Sequence, residues 1–234
     1  MTEKSENVWR TLRKHTIYSL REIFLVVIGI LLAVHFNNLN EQSKSILKEF
    51  EILNEITQDL SKDTADLNEN IGEYNQMMLE CENFFDALVS SDGIPNYNEL
   101  FGYVLEHDNT FQTHNTGYLM AVDQGISIIT DMNLRSQIID LYNLKIKNVM
   151  YYENESEFTN MVVPLRNALF PYIGYDPSTK SNNYSIELIT DEKILHQIKV
   201  WNKTNFAKKH LSEKLIEEIK AVMEKIAQEL ERSS

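Results

Sequence analysis

Apolar residues recur every seven positions along the first third of the chain, at Tyr18, Leu25, Leu32, Leu39, Ile46, Leu53, Leu60, Leu67, Tyr74, Cys81 and Leu88. A seven-residue step keeps one face of an α-helix apolar, and here it never loses phase. The spacing therefore predicts one helical rod from about residue 17 to residue 90, on the order of 110 Å long at 1.5 Å per residue. A second series, Phe50, Thr57, Thr64, Ile71, Met78 and Phe85, is offset by four from the ladder, as paired seam positions require. Its threonines and aromatics suit packing against the chain's own helices, so the distal half is expected to bundle within the chain. The N-terminal third of the rod is the expected contact between copies.

The ladder begins inside an apolar segment. Every residue from Ile23 to Val34 is apolar, and the stretch from residue 17 to 36 is long enough for a helix to cross a hydrocarbon core of about 30 Å. A cleaved signal peptide has a similar layout, but no small-x-small site follows, the best pair being Leu31 and Ala33. Cleavage would also sever a ladder that continues for some fifty residues, so the segment reads as an uncleaved signal anchor. Arg10, Arg13 and Lys14 precede it and Glu41 follows, which places the N-terminus in the cytoplasm and the remainder outside.

Beyond the rod, Ser90 to Pro95 is the clearest break, because Gly93 and Pro95 end helices. A short helix is expected near residues 97 to 105, a polar loop over 106 to 115, and a short helix from Tyr118 to Gln124 stopped by Gly125. Asp131 then caps a helix carrying Leu134, Ile138, Leu141, Tyr142 and Met150, which runs toward Arg166 with a bend at Pro164. Gly174 to Asn183 reads as a second long break. Asp191 opens another helix, and the last, about 204 to 231, is expected to bury Phe206, Leu211, Leu215, Ile219, Val222, Ile226 and Leu230 against the first. Only 7 Gly and 4 Pro in 234 residues favour long helices over a many-turned β fold.

Charge sharpens the partner list. Residues 1 to 40 hold five basic and three acidic groups, leaving 17 basic against 32 acidic in the rest. An acidic body without a basic stripe is repelled by phosphate backbones, so nucleic acid is not an expected partner.

The run from Glu22 to Ala33, closed by Asn37, Asn38, Leu39, Asn40 and Glu41, resembles the N-terminal signature of a family of single-span membrane proteins from Bacteroidota, read as E-I-x-L-V-V-I-G-I-L-x-A…N-N-x-N-E. Gly125, Ile128, Asp131, Leu134, Arg135, Ile138, Leu141 and Tyr142 resemble its central block. Arg21, His35 and Leu39 depart from the pattern, the last removing an aromatic belt residue at the outer boundary. The resemblance implies an anchored helical envelope protein and brings no activity with it.

Candidate chemistry is sparse. His107 and His114 flank Asp108, but their spacing matches no zinc pattern, and solvated loop histidines are the expected reading. Glu22 shares a face with Gly29 and Ala33, a small-xxx-small pair that lets two transmembrane backbones approach, so these three are the expected helix-association residues. Cys81 is either a buried small hydrophobe or, being on the ladder, an intermolecular disulfide. No nucleophile, phosphate-loop or metal-ligand motif occurs, so no catalytic residue, cofactor or metal is expected.

The expected fold is all-α: a cytoplasmic tail (1–16), a transmembrane helix (17–36), a long stalk helix (37–90) and a mainly helical extracytoplasmic domain (91–234) packing on the distal stalk. The expected role is a membrane-anchored scaffold, interaction or sensory protein of the bacterial cytoplasmic membrane, without catalytic activity of its own. Its expected partners are the lipid bilayer, a second copy of the chain through the span and proximal stalk, and a protein of the envelope. Two alternatives stay open: a subunit of a membrane transport or ion-conducting assembly with Glu22 near the contact, and an extracytoplasmic enzyme with His107 or His114 in a polar pocket.

Overall fold

The computed structural model describes residues 3–89, 97–106, 110–154, 162–178, 181–184 and 191–232, with the side chains of residues 1–23 among those outside the description. The described chain is helical with one short hairpin. Its elements are α1 (Glu3–Val89), α2 (Tyr97–Glu106), α3 (Thr116–Asp123), a 3-10 turn (Ile126–Ile128), α4 (Met132–Asp140), a π-turn (Leu141–Lys145), α5 (Ile146–Asn154), α6 (Val162–Leu169), a 3-10 turn (Phe170–Tyr172), β1 (Ile173–Asp176), β2 (Ser181–Tyr184) and α7 (Glu192–Arg232). The chain divides into two compact units, Met1–Phe50 and Glu51–Ser234.

In the first unit every side chain from Phe24 to Leu47 is exposed. Ile30 is 58% and Leu31 62% accessible to solvent. An apolar helix face exposed in this way suits a nonpolar surrounding. Among the described residues, one helix is long and apolar enough to cross a membrane, and it is this one.

The second unit has two apolar cores. One gathers Ile52, Leu53, Ile56, Leu60 and Leu67 of α1 with Leu134 and Ile138 of α4, Ile146 and Val149 of α5, and the C-terminal part of α7 from Leu215 to Ile226. The other gathers Tyr74, Met77, Cys81 and Phe84 of α1 with α2, α6 and the N-terminal part of α7, through Phe101, Leu165, Ile198 and Trp201. Each fully buried Leu or Ile contributes roughly 1.5–3 kcal/mol. Asn70, Glu153, Thr204, Asn205, Lys208 and Ser212 are buried polar residues, at positions along α1, α5 and α7 that fall between the residues of the two cores.

The ladder from Leu53 to Cys81 is the buried seam, as its spacing predicts. The second seam is not where the sequence suggests. Ile56, Asp63, Asn70, Met77 and Phe84 are buried, three positions after each ladder residue, whereas Thr57, Thr64, Ile71, Met78 and Phe85 are only half-buried and Phe50 is exposed. Thr57 and Thr64 instead donate to the Leu53 and Leu60 carbonyls of their own helix. A purely apolar criterion selects the wrong flank because the correct one carries an acid and an amide.

Other boundaries follow local chemistry. Asp131 caps α4 by accepting from Asn133 and Leu134 N–H, and Asp191 caps α7 through Lys193. Gly125, at φ +87°, takes a positive-φ conformation that stops the α3 segment. Pro164 falls in the first turn of α6, where its missing N–H costs nothing. The break expected over Gly174 to Asn183 is an antiparallel hairpin pairing Ile173 with Tyr184 and Asp176 with Ser181. The two C-terminal helices expected from sequence are one, since no Gly or Pro interrupts Glu192–Arg232. Phe206 is 64% exposed on it, contrary to expectation, because the buried stripe passes through Thr204, Asn205 and Lys208.

Candidate functional site

Asp59 and Asp63 lie four apart on α1, which puts both carboxylates on the same helix face. Both are sealed, at 1% and 0% exposure. A buried carboxylate without partners is costly, so its acceptors must be filled.

The segment from Thr110 to Asn115, expected as a solvated loop, fills them. Asp63 Oδ2 accepts from the Thr113 hydroxyl at 2.6 Å, and Oδ1 accepts from the His114 N–H at 2.7 Å. The His114 ring adds Nδ1 at 2.8 Å from the same Oδ1. Asp59 Oδ2 accepts from Gly117 N–H at 2.8 Å. That donor belongs to the first turn of α3, whose own N-cap residue, Asn115, makes no side-chain cap. Asp59 thus caps α3 from another helix, where the helix dipole also favours a negative charge. Lys62 Nζ lies 3.8 Å from the other Asp59 oxygen.

Such a bond requires close approach of α3 to α1, and Gly117 permits it. A Cβ at that position would stand 2.4 Å from the Ile56 nitrogen and 2.8 Å from the Glu55 carbonyl carbon. No side chain fits there.

A third sealed acid holds the start of the same segment. Glu153, 1% exposed on α5, accepts from Phe111 N–H at 2.7 Å and from the Tyr74 hydroxyl at 2.8 Å. Burial pushes both the Glu153 and Asp63 carboxyls above their ordinary range, opposed by these hydrogen bonds. Burial, with the Glu153 charge beside it, holds the Tyr74 phenol well above its ordinary value. Tyr142, in the π-turn, stacks on Tyr118 with ring centroids 4.6 Å apart. Its buried hydroxyl has no hydrogen-bond partner among the described residues, and burial with the Asp63 and Asp59 charges raises that phenol too.

The arrangement fastens residues 111–117 to α1 and α5 through three acids. It was not legible as a cluster, since the partners are 42 to 58 residues apart. The available signals were an apolar Phe111 within a polar loop and a glycine at the start of a helix.

His114 belongs to the cluster, with its ring 41% exposed rather than freely solvated. His107 and Asp108 lie outside the described residues, as does the Glu22 side chain. Gly29 has open space where a Cβ would sit, and Ala33 is exposed. Cys81 is 0% exposed within the second core, its thiol pushed up to about 12 by burial and by Glu80 and Glu82.

Among the described residues no group of three or more His, Cys, Asp and Glu is placed to hold a metal ion. A surface hollow of about 570 Å³ lies apart from the three acids, lined by residues that include Asp131, Asn133, Lys225 and Arg232. Arg232 spans it, 3.4 Å from Asp131 and paired with Glu229.

No curated protein and no solved structure matches the chain. One family model does, over residues 22–163, which takes in the apolar span, the acids Asp59, Asp63 and Glu153, and the segment they hold. Since that match covers more than half of the sequence, the chain belongs to the family described as Family of unknown function (DUF6090).

Proposed function

We propose that the chain is a membrane-anchored interaction or sensory module without catalytic activity of its own, held in a bacterial cytoplasmic membrane with its N-terminus inside and its acidic helical unit outside. The observation that carries this reading is the use made of the sealed acids. Asp59, Asp63 and Glu153 spend their acceptors on the protein's own backbone and hydroxyl groups. An enzyme site needs such groups facing a space that a substrate can enter. The likeness of residues 22 to 41 to the Bacteroidota signature supports the bacterial membrane, and Arg10, Arg13 and Lys14 support the orientation.

Topology is tested by single cysteines in a Cys81→Ser background. A membrane-impermeant maleimide is expected to label Gln42→Cys in cells with a permeabilised outer membrane, and Ser5→Cys only after lysis. Labelling of Ser5→Cys before lysis, or recovery of the chain in the soluble fraction, would overturn the reading.

Self-association through the span belongs to the same proposal. Gly29 and Ala33 present open, small surface on a helix whose side chains are exposed all round, which suits a second copy approaching closely. Gly29→Leu is expected to weaken association in mild detergent roughly tenfold. Sedimentation of the purified full chain reads it, and an unchanged oligomer, or a monomeric parent, would refute it.

A further inference from the structure

We propose that His114 and Asp63 form a proton-operated clasp, which fastens residues 110–117 onto α1 when the pair carries an extra proton and loosens them as that proton leaves. The geometry separates two roles. Asp63 is sealed at 0% exposure, while the imidazole above it is 41% exposed and can exchange protons with solvent. Backbone N–H and ring Nδ1 of one residue converge on one oxygen, at 2.7 and 2.8 Å. The clasp therefore controls the path of the main chain directly.

The ring lies among acids. From α1, Asp63 and Asp66 both face Nδ1, the latter with Oδ2 at 3.9 Å. Asp59 stands one turn away, with Lys62 beside it at 3.8 Å. From the π-turn, Tyr142 brings a neutral phenol close enough to feel both Asp63 and Asp59. From α3, Tyr118 stacks on Tyr142. A neutral ring still donates from Nδ1 to the carboxylate, and an imidazolium adds the attraction of opposite charges to that bond. Whichever partner holds it, the proton belongs to the pair.

Loosening reaches α3, because Gly117, three residues on, donates to Asp59. The proposal concerns the second unit alone and stands whether or not the topology above holds.

The test is amide hydrogen exchange on the full chain in detergent micelles, at about pH 5.5 and about pH 8, either side of the ordinary histidine range. After correction for intrinsic rates, His114 and Gly117 amides are expected to be roughly fivefold better protected at the lower pH. The Ile138 amide, in the first core, supplies the global reference. His114→Gln, which still donates but carries no charge, should abolish the excess. Asp66→Asn should reduce it and serves if His114→Gln fails to fold. Equal protection at the two pH values would overturn the clasp. So would an excess that survives His114→Gln, which would assign the effect to Asp63 or Glu153 alone.

Discussion

Gly117→Ala is expected to destabilise the second unit by about 3 kcal/mol, while Gly72→Ala leaves it unchanged or stabilises it by roughly 0.5–1 kcal/mol. The same chemical change has opposite signs for a geometric reason. At Gly117 the new methyl carbon meets backbone, the Ile56 nitrogen at 2.4 Å and the Glu55 carbonyl carbon at 2.8 Å, and backbone inside a long helix cannot step aside. Relief requires α3 to withdraw from α1, which stretches the Gly117 bond to the sealed Asp59 carboxylate. Gly72 has nothing within 4 Å of its Cβ position and sits in a helix interior, where alanine costs less chain entropy. Thermal unfolding of the two variants in one detergent reads both signs. A loss of about 3 kcal/mol corresponds to a fall of roughly 6–12 °C in Tm for a unit of this size. Equal shifts would mean that the close approach of α3 to α1 is not what Gly117 secures.

The ladder was legible because burial on α1 follows one helical face, and a residue every seven positions stays on that face whatever lies opposite. What lies opposite was not legible. The true flank includes Asp63 and Asn70, and a hydrophobic criterion discards both, so Thr57 and Thr64 on the other side look like the better seam. Their hydroxyls satisfy themselves on the preceding turn and need no partner helix. The acids resist reading for a related reason. Nothing near Asp59 or Asp63 in sequence differs from solvated helix charge, and the donors that make them structural lie 50 to 58 residues away. The last helix fails at the same kind of position: Phe206 looks like core, but the inward positions around it are Thr204, Asn205 and Lys208.

These polar positions explain how one long α1 and one long α7 carry two separate cores. Leu67 belongs to one and Tyr74 to the other, and the ladder residue is apolar in both. Between them Asn70 is buried on α1, while Thr204, Asn205, Lys208 and Ser212 interrupt the apolar stripe of α7. Glu153 stands at this interruption, with Tyr74 of the second core and Phe111 of the first both donating to it. Its two oxygens thus hold one residue of each core.

Glu153→Ala is accordingly expected to cost about 3 kcal/mol, because it leaves the sealed Phe111 N–H and Tyr74 hydroxyl without this acceptor. Glu153→Gln should be far milder. Its carbonyl oxygen can accept from Phe111, and its amide can donate to Tyr74, whose hydroxyl accepts as readily as it donates. The two proteins should then separate with pH in a defined direction. Burial raises the Glu153 carboxyl in the fold above its ordinary 4.5, so the folded chain holds this proton more tightly than the unfolded one. The stability it contributes is complete below about 4.5 and is lost as pH rises through the folded value. Urea unfolding between about pH 4.5 and pH 7 should show the parent's advantage over Glu153→Gln shrinking as pH rises. Asp63 titrates in the same direction in both proteins and cancels in the difference. An advantage that stayed constant, or grew with pH, would mean that Glu153 is ionised in the fold at no cost, and that Lys208 and the two donors outweigh its burial.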